Sequence, residues 1–191
     1  MTPTRKNKIK QVMSRRQKTL AVVLENVDDP HNVGAILRSC DAFGVGEVHL
    51  LYTINKAPKN RELRSKSAAS AAKWLKITKW DSVSKLTAYL KKKKFKIAVT
   101  KLTGSSIDPA QADLAAPVAI VIGNEHDGVS DQLSKKADLN LVIPMQGFVQ
   151  SFNVSVAAAL LLYEAFRQRA SRASAPQSVS SPRLAKRSRA K

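Results

Sequence analysis

An α/β fold with a mostly parallel sheet flanked by helices is what this sequence predicts, on two observations. Short apolar runs rich in β-branched residues recur through the middle of the chain, and helix-like patterns alternate with them. The first element is a basic head. From Thr4 to Lys18, Ile9, Val12 and Met13 stand at spacings of three and four among Arg5, Lys6, Lys8, Lys10, Arg15 and Arg16, the pattern of a short amphipathic helix with a basic face. Leu20 to Leu24 then reads as a buried strand, Asn32 to Phe43 as a helix and Val48 to Tyr52 as the next strand. Gly44 and Gly46 fit a helix cap and the turn into that strand.

The stretch Asn55 to Lys76 mixes Arg61, Arg64 and Lys66 with the small residues Ser67 to Ala72, and reads as a loop leading into a short helix. Beyond it, Ser82 to Lys93 reads as a helix, Phe95 to Val99 and Val118 to Ile122 as strands, Ser130 to Ala137 as a short helix, and Leu139 to Ile143 as the last strand. The final helix, Ser151 to Arg169, carries the run Val156 to Tyr163 and is apolar on nearly all sides, which predicts burial. In a chain of 191 residues this implies packing on the sheet along one side and on a second subunit along the other. Past Arg172 the composition turns to Ser, Ala, Pro and Arg without apolar periodicity, and such a tail does not offset the entropy of ordering its backbone. The organisation expected is therefore a basic head over 1–19, one domain over 20–170 and a basic disordered tail over 171–191.

Charge limits the partners. Lys and Arg number 33 against 14 Asp and Glu, a formal net charge of +19, so the chain expects a polyanion and salt-sensitive binding to nucleic acid. No apolar run approaches the roughly 20 residues that span a bilayer, and no apolar signal core follows the basic head. A cytoplasmic protein without a membrane partner is the expectation. Cys40 has no partner for an internal disulfide and sits in an apolar helical pattern, where a small buried residue explains it. His31, His49 and His126 lie apart without metal-ligand spacing, so no metal is expected. Neither a phosphate-cradling Gly-rich loop nor the dinucleotide glycine pattern occurs, which disfavours nucleotide triphosphates.

Three polar clusters each follow a strand, where ligands of open α/β sheets bind. In the first, Asp28 to Ser39, Asn32 reads as a helix N-cap, while Arg38 is an oriented cation on an otherwise apolar helix. The second, Ile122 to Val129, holds Gly123 and Gly128 around Asn124 and Glu125 and suits either close approach to a ligand or a tight turn. The third, Ile143 to Ser155, breaks a strand at Pro144 and Gly147, and sets Ser151, Asn153 and Ser155 at the start of the last helix.

Together these clusters resemble the three motifs of the SPOUT superfamily, in its branch of tRNA and rRNA ribose 2'-O-methyltransferases. Pro30 to Arg38 is similar to the first motif, Ile122 to Glu125 with Gly128 to the second, and Ile143 to Met145 through Ser151 to Ala157 to the third. The resemblance spans roughly residues 5 to 170, and Arg15-Arg16-Gln17 after the basic head is similar to the TrmH-type tRNA guanosine-18 subgroup. It implies a deep C-terminal trefoil knot, which the general rarity of knots would otherwise exclude, and a homodimer. S-adenosylmethionine is the implied cofactor, with Leu102, Thr103, Gly104, Ile122, Gly123, Asn124, Glu125, Ile143, Met145, Ser151, Phe152 and Asn153 lining its pocket.

By the same resemblance Arg38 is the central catalytic residue, with Asn32, Glu125, Ser151 and Asn153 organising the site. A guanidinium is effectively always protonated. Arg38 would therefore act as a base only with help from an RNA phosphate, or would instead stabilise the developing alkoxide. Contacts to tRNA are expected from Arg5, Lys8, Arg15, Arg16, Arg61, Arg64, Lys66, Arg167 and Arg169. Two alternatives stand beside this reading: ribosomal RNA as the substrate, and a noncatalytic RNA-binding protein on the same fold. The second is opposed by the intact motif residues and by an aromatic content of 5%, too low for base stacking to dominate.

Overall fold

The computed structural model describes residues 2–54, 56–58 and 71–174. Eleven elements follow in order: α1 (Pro3–Ser14), β1 (Gln17–Glu25), α2 (Pro30–Ala42), β2 (Val45–Leu51), β3 (Lys76–Trp80), α3 (Val83–Lys92), β4 (Lys96–Thr100), β5 (Val118–Ile122), α4 (Asp131–Ser134), β6 (Leu139–Leu141) and α5 (Val154–Ser174). The six strands form one sheet in the order β3-β2-β1-β5-β4-β6, and every pairing is parallel. All six strands therefore end at the same edge.

Alternation along β1 and β5 feeds two cores. Leu20, Val22, Leu24, Ile120 and Ile122 face α2 and α5, which contribute Ile36, Leu37, Cys40, Leu161 and Leu162. Ala21, Val23, Ala119 and Val121 face the other way, onto Leu86 and Leu90 of α3 and Leu133 of α4. Strands buried on both faces read as continuous apolar runs, which is why these two were plain in the sequence.

Several boundaries differ from the sequence reading. The head helix stops at Ser14, and Gln17, Lys18 and Thr19 already belong to β1, so the domain begins within the expected head. β3 was not foreseen. It is an edge strand pairing only with β2, and its residues, exposed or half-buried throughout, leave it with little apolar signal. β6 is three residues long and ends at Leu141 rather than Ile143. α5 continues to Ser174, so residues 171–174 are helical and not part of a disordered tail. That helix is also not buried all round: Ala158, Leu161, Leu162 and Ala165 are buried, whereas Val156, Leu160, Tyr163 and Phe166 are exposed. Arg61, Arg64, Lys66 and the tail from position 175 lie outside the described residues.

Candidate active site

At the carboxyl edge of the sheet, the segments that follow β4, β5 and β6 enclose a cavity of about 600 Å³, closed on one side by the start of α5. Its apolar lining comes from Ile122, Leu141, Ile143, Ala157 and Leu161, and its polar lining includes Lys101, Asn124, Glu125, His126, Gln150, Ser151 and Asn153. Leu102, Gly123, Met145 and Phe152 complete the part of the lining that the sequence had suggested. Thr103 and Gly104 are not in the lining. They belong to the neighbouring turn, where the Thr103 N–H donates to Ser106 Oγ at 2.7 Å.

Close packing dictates the loop after β5. A Cβ on Gly123 would stand 2.1 to 2.3 Å from the backbone of Gly128 and Val129, closer than any real contact. Gly128 has φ +67°, the left-handed region natural to glycine. The loop closes on itself through reciprocal backbone bonds between Asn124 and Gly128, each 3.0 Å.

Hydrogen bonds join the three clusters at the mouth of the cavity. Asn153 Nδ2 donates to Asn32 Oδ1 at 3.1 Å, and Asn32 Nδ2 donates to Glu125 Oε1 at 2.9 Å. The second carboxylate oxygen of Glu125 accepts from the Asp28 N–H at 3.3 Å. Asn153 Oδ1 in turn accepts from the N–H and the hydroxyl of Ser155, at 2.9 and 2.6 Å, which fixes the amide at the first turn of α5. Because an amide both donates and accepts, these bonds run in one direction and end on a carboxylate.

Asn32 is therefore not the cap of α2. Asp29 is, accepting from the His31 N–H at 2.8 Å, with Pro30 in the first turn. This leaves the Asn32 side chain available to reach across to Glu125. Arg38 stands six residues further along α2, about 9 Å by helical rise, exposed and outside the cavity lining. Ser151 is exposed and lines the cavity.

The cations expected to face RNA separate into two groups. Arg5, Lys8 and Arg15 are exposed along α1 and its end, and Arg167 is exposed with its guanidinium on Glu164 at 2.7 and 2.8 Å. Arg16 and Arg169 are occupied inside the fold. Arg16 pairs with Asp41 and reaches the Trp74 carbonyl. Arg169 donates to the carbonyls of Leu114, Ala116 and Thr19 and to the Thr19 hydroxyl, at 2.6 to 3.0 Å. Both depart from the sequence reading: Arg16 is committed to the Asp41 carboxylate and Arg169 to the carbonyls of three residues, so each braces neighbouring segments. Some residues were not among those expected in the cavity lining. Lys101, His126, Gly128 and Gln150 line the cavity, and Glu25, buried at the end of β1, had only a lone carboxyl beside an apolar run as its signal.

Among the described residues, no group of His, Cys, Asp and Glu is arranged to hold a metal ion, and no helix is long and apolar enough to cross a membrane.

Parallel strands ending on a ligand-sized cavity, with polar loops converging on its mouth, define an α/β enzyme of the kind that acts beyond the carboxyl ends of its strands. The chain belongs to the SpoU rRNA Methylase family, whose model matches residues 19–163, and membership implies the trefoil knot. It is 40% identical over 170 residues to the tRNA (guanosine(18)-2'-O)-methyltransferase of Escherichia coli strain K12, covering 88% of this chain and 72% of that protein. The structure of the Aquifex aeolicus TrmH/SpoU tRNA modifying enzyme superposes with a TM-score of 0.79 at 37% identity, covering 89% of this chain and 85% of that one. The SpoU methyltransferase AviRb from Streptomyces viridochromogenes, in complex with the cofactor AdoMet, superposes with a TM-score of 0.71 at 27% identity, over 82% of this chain and 60% of that one.

Proposed function

We propose that this protein transfers a methyl group from S-adenosylmethionine to a ribose 2'-hydroxyl of tRNA, at guanosine 18, and works as a homodimer. The observation that carries the reading is the hydrogen-bonded run Asn153, Asn32, Glu125, which joins all three motifs at the cavity mouth. The residues present fit the cofactor. A volume of about 600 Å³ is in the range of small-molecule sites, and Ile122, Leu141, Ile143 and Leu161 offer apolar walls to a flat ring. When bound, the cofactor would supply an electrophilic methyl on a positively charged sulfur: transfer to the ribose oxygen would break the methyl–sulfur bond, leave a neutral thioether, and pass the hydroxyl proton to water or an RNA phosphate.

The chain's own groups position and stabilise. Asn32 and Asn153 hold Glu125 in one orientation, and preorganised groups of this kind cost no rearrangement during reaction. Arg38 contributes a permanent positive charge for a phosphate or for the developing negative charge on the ribose oxygen. Arg5, Lys8 and Arg15 lend long-range attraction to the RNA backbone. The exposed apolar stripe Val156, Leu160 and Tyr163 on α5, with Phe148 and Val149 in the loop before it, supports the homodimer.

The test is transfer of labelled methyl from S-adenosylmethionine to purified tRNA lacking ribose methylation, with the modified nucleotide mapped by mass spectrometry. Label at guanosine 18 is expected, and Arg38→Ala is expected to abolish it while cofactor and RNA still bind. The family's rRNA designation favours a second reading, ribosomal RNA as substrate. Transfer to ribosomal RNA alone would select it, and silence on both RNAs would favour a noncatalytic binder.

A further inference from the structure

We propose that Glu25 and Ser130 form a latch that sets the loop Gly123–Val129 in its cofactor-binding position, so that both act as positioning residues for the cavity. This rests on the reading of that cavity as the S-adenosylmethionine site. Between β5 and α4 the loop makes no strand or helix of its own, only the isolated bridge between Asn124 and Gly128. Besides the bonds from Asn32 and Lys101, the side-chain bonds that tie it to the rest of the fold converge on residues 25 to 28, at the end of β1. Asn124 Nδ2 donates to the Asn26 carbonyl at 2.7 Å and to Asp28 Oδ2 at 3.2 Å, and Glu125 accepts from the Asp28 N–H. At its far end, the Ser130 N–H and hydroxyl donate to the two oxygens of Glu25, at 2.9 and 2.6 Å.

These ties differ in their access to water. Asn124, Glu125 and Ser130 are partly exposed, whereas Glu25 is 1% exposed. A carboxyl group buried to that degree is costly unless both oxygens are bonded, so Glu25 and Ser130 are each required by the other. The Ser130 hydroxyl also accepts from the Leu133 N–H at 3.2 Å, which fixes the direction of its proton toward Glu25. Next to it Val129 is buried, and its carbonyl accepts from Lys101 Nζ at 3.4 Å. Lys101 lines the same cavity from the loop after β4. A buried carboxyl and the half-buried serine bonded to it thus anchor a junction at which two walls of the cavity meet.

Without the latch, the loop would occupy its binding arrangement only part of the time, and the apparent dissociation constant rises in inverse proportion to that fraction. The experiment uses the full chain and two readouts without RNA: calorimetric titration with S-adenosylmethionine, and hydrogen exchange of the cofactor-free protein. Ser130→Ala is expected to raise the dissociation constant about tenfold and to speed exchange across 123–130 while β1 and β5 keep their protection. Ser130→Thr, which retains the hydroxyl, is expected to stay near the parent. Glu25→Gln keeps the volume and one acceptor oxygen, and is expected to raise the constant several-fold if Ser130→Ala does not fold. An unchanged constant in Ser130→Ala, equal weakening by Ser130→Thr, or loss of protection spread over the whole sheet would each overturn the latch. If the parent protein took up no S-adenosylmethionine, the cofactor reading would fail, and the exchange pattern would still decide the latch.

Discussion

Mild acid should weaken this fold through one residue, His49. It lies on β2 with 0% exposure, enclosed by Trp80 of β3 and Tyr89 of α3. Trp80 Nε1 donates to His49 Nδ1 at 3.1 Å, so the ring is neutral with its proton on Nε2, 3.5 Å from Glu47 Oε2. Protonation would place a second N–H against the Trp80 donor and a charge in a desolvated site. Desolvation lowers the pKa from 6.5 to about 4, with the Glu47 charge opposing and those of Lys76 and Lys93 adding to the fall.

A histidine with a depressed folded pKa contributes stability above its unfolded pKa and loses it as pH falls. Here the window runs from 6.5 down to about 4. At about 1.4 kcal/mol per unit, the full loss is about 3 kcal/mol, of which about 2 kcal/mol has gone by pH 5. Urea unfolding at pH 7.5, 6.5, 5.5 and 5.0 measures it. His49→Asn keeps an acceptor for Trp80 and is expected to be less stable at neutral pH but flat across the window. A parent curve that is flat, or an Asn variant that declines in parallel with the parent, would refute the reasoning. Glu47 does not confuse the result. Desolvation raises its pKa, but hydrogen bonds from Lys76 and Tyr89 carry it below 4.5 overall, so its loss begins at lower pH.

Three other outcomes are expected. Arg169→Ala should lower stability by about 1–3 kcal/mol, since it removes the donors to the part-buried carbonyls of Leu114 and Ala116, while salt-dependent RNA affinity of the folded protein stays near the parent; thermal unfolding and filter binding check this. Leu160→Glu, on the exposed stripe of α5, should shift the protein to monomer in sedimentation without unfolding it. Asn32→Ala removes the donor to Glu125 and the acceptor of Asn153, and should lower the methyl-transfer rate about ten- to a hundredfold, equivalent to about 1–3 kcal/mol, with cofactor affinity little changed.

Much of this was legible in the chain itself. β-branched runs at Leu20–Leu24 and Val118–Ile122 specify strands buried on both faces, because each alternate side chain meets a core. The polar clusters were legible as well, since each interrupts an apolar pattern at a strand end. Gly123 shows the limit: sequence admitted a tight turn or a ligand approach, and the packing of its Cα against Gly128 accounts for the glycine. β3 was missed because an edge strand with one neighbour needs few apolar residues.

What the sequence determined alone is whatever depends on local period and composition: the alternating elements, the basic surface, the apolar helix at the end and the three clusters. Tertiary structure decided which polar groups meet. Asn32 reaches Glu125 across 93 positions and Asn153 reaches Asn32 across 121, distances over which periodicity carries no information. The same holds for the cations. Arg15 and Arg16 are adjacent and chemically identical, yet Arg15 is exposed while Arg16 is locked onto Asp41, because only packing brings an acceptor to one of them. The two faces of α5 divide for the same reason: the sheet and α2 cover one side, while among the described residues Val156, Leu160, Tyr163 and Phe166 on the other stay exposed.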